Sequence, residues 1–144
     1  MFELDVDDRL SSWSSLRKQI DESSDPFHDV ISFWNKTPFV AHNHKIDPFN
    51  SNSWPTPWEI IVENRYDDFT RAVMIGYTLL LTEKFKNSKI IIKTLVDNEF
   101  KRLYNVVNID DTWVLNFNDT RVLHIDDISG FFNLENLVVL SRPR

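Results

Sequence analysis

Apolar positions recur at two different spacings along this chain, and the spacing changes near residue 88. Before that point Leu10, Trp13, Leu16 and Ile20 repeat every three or four residues. They predict a helix over 7–22, with Asp7 and Asp8 at its electropositive end. Ser23-Ser24 closes it. A second helix opens at Asp25-Pro26: Asp25 suits the N-cap, and Pro26 suits the first helical position, where an N–H would be unpaired anyway. Phe27, Val30, Ile31 and Trp34 form its apolar stripe. Thr56-Pro57-Trp58-Glu59 reads as a capping box ahead of a short helix reaching about residue 64. From 66 to 84 almost every face is apolar, which predicts a buried helix. Gly76 in its middle costs about 1 kcal/mol relative to Ala, so a close crossing with another element is its expected reason.

Beyond residue 88 the period is two. Strands are predicted over 89–95, 101–108, 112–117 and 120–125, with tight turns at Asp110-Asp111 and Asn118-Asp119. A turn or short helix over 126–134 and a last strand over 136–141 complete the pattern. Between the two regimes, 36–53 reads as a long polar loop anchored by Phe39 and Phe49. Helices followed by an antiparallel meander give an α+β fold, with N-terminal helices and a central buried helix packed on the sheet. A chain of 144 residues fits a single domain, here a helical arm and loop over 1–53 and a helix-plus-sheet core over 54–144.

Composition removes several function classes. Two glycines leave no Gly-rich phosphate loop. The absence of cysteine rules out disulfides, a thiolate zinc site and a Cys nucleophile, and it fits an intracellular setting. A net charge of −6 with scattered Lys and Arg argues against nucleic acid as a partner. Residues 1–8 are acidic and do not read as a signal peptide, and no apolar run approaches the ~18 residues of a membrane span. Eleven Phe and five Trp point to an aromatic core.

The candidate chemistry is sparse. His42, His44 and Asp47 alone have metal-ligand character, but the spacing is that of an ordinary solvated loop, so neither a metal nor another cofactor is expected. His28 and His124 read as isolated packed or surface residues. Asp67 and Asp68 precede the buried helix, where the macrodipole favours carboxylates; acid–base work would also require a cleft around them. Tyr66, Tyr77 and Tyr104 could donate hydrogen bonds to a ligand. Trp54 and Trp58 flank the capping box and are the candidate partner- or ligand-binding residues, against a plain packing role.

A capped short helix, a long buried helix and three or four antiparallel strands, over 54–125, resemble the transglutaminase-like (papain-like) core. That resemblance implies a nucleophilic Cys at the start of the central helix, a His in a strand, and an Asp or Asn ending the next. On this chain the first station falls near Tyr66 or Asp67, the second near Leu103 or Tyr104, and the third at Asn116. Only Asn116 is chemically compatible, so the resemblance implies a member without the catalytic Cys and His. The segments Trp54-Pro55-Thr56-Pro57-Trp58-Glu59, Tyr77-Thr78-Leu79-Leu80-Leu81-Thr82 and Val114-Leu115-Asn116 are also similar to small proteins of tailed phages, marine myoviruses in particular. This second similarity implies a virion or assembly component, or a host-interacting factor, in the particle or the host cytoplasm.

Two functions follow as expectations. The first is a non-enzymatic protein that works through contacts with other proteins, phage structural or host. The alternative is a small hydrolase-type enzyme with a site drawn from Tyr66, Asp67, Asp68, Tyr104, Asn116, His42 or His44. A small-ligand site at Trp54 and Trp58 is a third option.

Overall fold

In the computed structural model, residues 1–118, 121–128 and 132–143 are described. Helix α1, Val6–Glu22, starts where the Asp5 carboxylate accepts the Asp8 N–H, and it buries Trp13, Leu16 and Ile20. Helix α2, Pro26–Trp34, is capped by Asp25 with Pro26 in its first turn. Both halves of the expected capping box form ahead of α3, Pro57–Glu63, and Asn64 ends that helix in the left-handed conformation. The central helix α4 is shorter than its apolar run, covering Asp68–Leu80. Asp67 stays extended as the N-cap, and at the other end Arg142 Nε donates to the Leu80 carbonyl.

Strands β1 (Ile90–Asp97), β2 (Leu103–Ile109), β3 (Trp113–Leu115), β4 (Leu123–His124) and β5 (Phe132–Leu140) form an antiparallel sheet in the order β4-β3-β2-β1-β5. Asp110 and Asp111 both have positive φ, 52° and 54°, and Thr112 N–H returns to the Ile109 carbonyl at 3.0 Å. That is a type I′ turn, whose twist matches a hairpin. Strand β3 stops earlier than expected because Asn116 sits at φ 67°. Strand β5 begins earlier than residue 136, and among the described residues before it a 3-10 turn, Ile125–Asp127, overlaps the start of the expected 126–134 turn. The second expected turn, at Asn118-Asp119, and the expected strand start at Thr120 fall on Asp119 and Thr120, outside the described residues.

The buried side chains of α4, of the helix-facing side of the sheet and of α1 and α2 belong to one apolar cluster. The arm is therefore part of the same core. Gly76 crosses the sheet closely: a Cβ there would lie 2.5 Å from Leu140 Cδ1 and 3.1 Å from Ile90 Cγ2. On the other side of α4, Thr78 Oγ1 accepts the indole N–H of Trp13 (2.9 Å) and of Trp34 (3.1 Å) and donates to the Met74 carbonyl. Arg9 is buried and donates to the carbonyls of Leu4, Ile61 and Val62, while Asn64 Nδ2 donates to the Phe2 carbonyl. These bonds tie the first residues of the chain to the end of α3.

The long loop is held differently from expectation. The side chains of Phe39 and Phe49 are 73% and 78% exposed, Phe39 meeting Tyr66 only through a backbone bridge, and the buried apolar residue is Ile46. The rest of the hold is polar. Val40 N–H donates to the Tyr66 carbonyl, Asn43 N–H to Asp67 Oδ2, and Trp54 Nε1 to the Asp47 carbonyl. Among the described residues no helix is long and apolar enough to cross a membrane.

Candidate functional site

Two aspartates in a row enter α4 and do different things. Asp67 is the N-cap. Its Oδ1 accepts the Thr70 N–H (2.7 Å) and hydroxyl (2.6 Å), and its Oδ2 accepts the Asn43 N–H (3.0 Å). Both oxygens are thus committed to holding the helix start and the loop, and the residue is buried. Asp68, the first helical residue, is half-buried and lines a cleft. Its Oδ2 accepts Asn105 Nδ2 at 3.0 Å, and its Oδ1 takes the Arg71 guanidinium at 3.0 Å, an i,i+3 ion pair on the helix.

Asn105 and Asn116 complete the network. Period-two alternation puts Leu103, Asn105, Val107 and Ile109 on the helix-facing side of β2. Across the β1–β2 pair Thr94 opposes Asn105 and its hydroxyl donates to Asn105 Oδ1 at 2.8 Å. Asn116 is buried just past β3, and its Nδ2 donates to the Asn105 carbonyl at 2.8 Å and lies 3.5 Å from Asp68 Oδ1. The shorter bond fixes the amide; the longer one is at the limit of a useful hydrogen bond. Helix start, two central strands and the end of the third thus meet in one carboxylate and two carboxamides. A carboxamide is neutral and cannot act as a thiol or imidazole would, so the group displays fixed donors and acceptors rather than a nucleophile with its base.

The cleft above this network encloses about 420 Å³. Asp68, Asn105 and Thr94 supply its polar floor, and Phe49, Val96 and Leu103 its apolar sides. His42, Glu135 and Asn136 also line it.

Other candidates lie elsewhere. Tyr66 points into the core, edge-on to Phe2 and Trp34, with no partner for its hydroxyl among the described residues; burial drives its titration well above the usual phenol range. Tyr104 lies on the opposite face of the sheet from Asn105, stacked on Phe117 at 4.6 Å with the Arg102 guanidinium 5.1 Å above its ring. Of the residues at and beside the expected stations, Asp68, Asn105 and Asn116 are joined by hydrogen bonds, while Tyr66 and Tyr104 lie outside that network. Asp68 belongs to the acidic pair read from the sequence. The signal that could have found Asn105 is the alternation of β2, since Leu103, Val107 and Ile109 are the apolar members of its face.

Trp54 and Trp58 are half-buried and face different neighbours. The Trp54 ring meets Phe69 edge-on at 5.7 Å, and the Trp58 ring meets Trp13 edge-on at 5.9 Å, so the two form no shared cage. The His42 and His44 rings touch at 4.6 Å, but Asp47 Oδ1 accepts the Phe49 N–H. Among the described residues no three His, Asp or Glu side chains group as metal ligands.

No protein-family model matches this chain, and no curated protein matches its sequence. Among solved structures, calcium-bound LapG of Legionella pneumophila superposes with a TM-score of 0.66 at 16% identity, over 99% of this chain and 84% of that one. LapG has a transglutaminase-like, papain-like cysteine protease fold. The fold of this chain is accordingly transglutaminase-like α+β.

Proposed function

We propose that this protein is a non-enzymatic interaction module of transglutaminase-like fold, whose cleft at the start of α4 docks a segment of another protein. One observation carries the reading. Asp68, Asn105 and Asn116, at or beside the positions where the resemblance implies a Cys, a His and an Asp or Asn, are joined to one another by hydrogen bonds. With no thiol in the chain and no imidazole in the network, acyl transfer lacks both its nucleophile and its base. The cleft that would hold substrate remains open and part apolar, a form suited to binding. A phage structural or host protein as the partner, in the virion or the host cytoplasm, is supported by the sequence similarity of 54–59, 77–82 and 114–116 alone.

Leu103 is 59% exposed on the cleft wall, so Leu103→Glu should leave the melting temperature within about 2 °C of the native chain. It should also abolish co-purification of the native partner. Retained co-purification would move the docking surface elsewhere. Hydrolysis of a broad peptide substrate mixture, lost in Asp68→Ala, would replace this reading with the hydrolase one.

A further inference from the structure

The edge strand β5 carries one residue too many. Thr94 opposes Asn136 and the next residue, Leu95, opposes Leu134, so Glu135 is the extra member of a β-bulge. In regular alternation neighbouring side chains take opposite faces, and a bulge breaks that rule and re-aims one of them. Here Glu135 and Asn136 both line the cleft. The Asn136 amide is engaged, donating to the Pro48 carbonyl at 2.7 Å. Glu135 has no cationic partner among the described residues.

The charges around it are one-sided. The ionisable groups lining the cleft are Asp67, Asp68, Glu135 and His42, with no Lys or Arg. Arg71 meets the charge of Asp68; neutral donors satisfy Asp67; the nearby Lys45 is paired with Glu63. A carboxylate without a counter-ion therefore lines a cleft that also carries Val96, Leu103 and the exposed ring of Phe49. That combination suits a long apolar stem with a planar cationic head, which can form a two-toothed pair with a carboxylate and lie on an aromatic face.

We propose that Glu135 is the anchor for an arginine side chain of the docked protein segment, its stem lying along Leu103 and Val96. The inference rests on the reading of the cleft as a docking site. It is tested on the full chain by following backbone amide resonances during titration with N-acetyl-leucyl-arginine amide and with its norleucine counterpart.

The expected result is movement of the Val96, Leu103 and Asn105 resonances, with the arginine compound binding about tenfold tighter. The preference should vanish in Glu135→Gln, an exposed position whose change leaves the fold intact. It should also shrink between about 50 mM and about 500 mM salt. Equal binding of the two compounds overturns the arginine anchor and leaves the docking reading standing. Arginine binding undiminished in Glu135→Gln overturns the anchor as well. Absence of movement with either compound overturns it too, and the Leu103→Glu experiment then decides the docking reading separately.

Discussion

Thr78 and Asp68 lie on one helix, and each is the hub of a saturated polar group. Thr78 is fully buried, and its hydroxyl serves two tryptophan indoles and a carbonyl. Asp68 is half-exposed, and its carboxylate serves one carboxamide closely, a second at the limit of bonding distance, and one guanidinium. The same completeness has different consequences in the two places. In the core an unpaired indole N–H cannot reach water, so the bonds decide whether the helices pack at all. At the cleft water can replace any lost partner, and the bonds mainly fix where donors and acceptors point.

Breaking the two hubs should therefore give unequal losses. Thr78→Val keeps shape but strands two buried donors, and urea unfolding should show a loss of about 3 kcal/mol, largely restored in Thr78→Ser. Asp68→Ala should cost about 1 kcal/mol or less. A loss as large as that of Thr78→Val would make the cleft network part of the framework and erase the contrast.

Gly76→Ala gains about 1 kcal/mol of helix propensity but drives a methyl into Leu140 and Ile90. Overpacking should win by about 1 kcal/mol in the same assay. A stabilised variant would show that the end of Leu140 swings clear.

The cleft geometry can also be probed by restoring chemistry. In Asp68→Cys/Asn105→His the new thiol should meet an imidazole, with Asn116 behind it. Its pKa should fall by about one unit from the ordinary ~8.5, read from the pH profile of iodoacetamide alkylation against Asp68→Cys alone. Identical profiles would mean that the two positions do not face each other as drawn.

The smallest effect lies at the capping box. The Thr56 N–H bonds the Glu59 carboxylate and holds its titration below the ordinary range. A depressed folded-state value means that this contribution is complete above the unfolded value, ~4.3, and is lost as pH falls through the folded one. Glu59→Gln should flatten that slight acid dependence in chemical denaturation between neutral and strongly acid pH. An unchanged slope would assign it to other carboxylates.

How much of this was legible in the sequence depended on the length of the signal. Long periodic runs and caps carried the helices, the meander and the reason for Gly76, because many residues vote for one answer. The site turned on single-residue choices. Which of Asp67 and Asp68 caps the helix depends on the tie to Asn43, a contact from a distant loop. The choice between Tyr104 and Asn105 depends on strand register, where a slip of one residue exchanges the two faces. The bulge at Glu135 leaves no mark in the apolar pattern, since it exists only by comparison with the pairing strand. Phe39 and Phe49 misled for a similar reason: hydrophobicity marks a residue for burial, while the loop is in fact pinned by backbone and amide bonds.

The bonds from Arg9, Asn64 and Trp13 have a consequence for the order of events during synthesis. Their partners stand far along the chain, at Ile61, Val62 and Thr78, with Phe2 waiting for Asn64. Helix α1 therefore emerges from the ribosome with its apolar stripe uncovered and cannot settle until α4 has followed it out. At about 5–20 residues per second that interval is several seconds, long compared with helix formation itself. A chain arrested before α4 would present Trp13, Leu16 and Ile20 to chaperones rather than to a core.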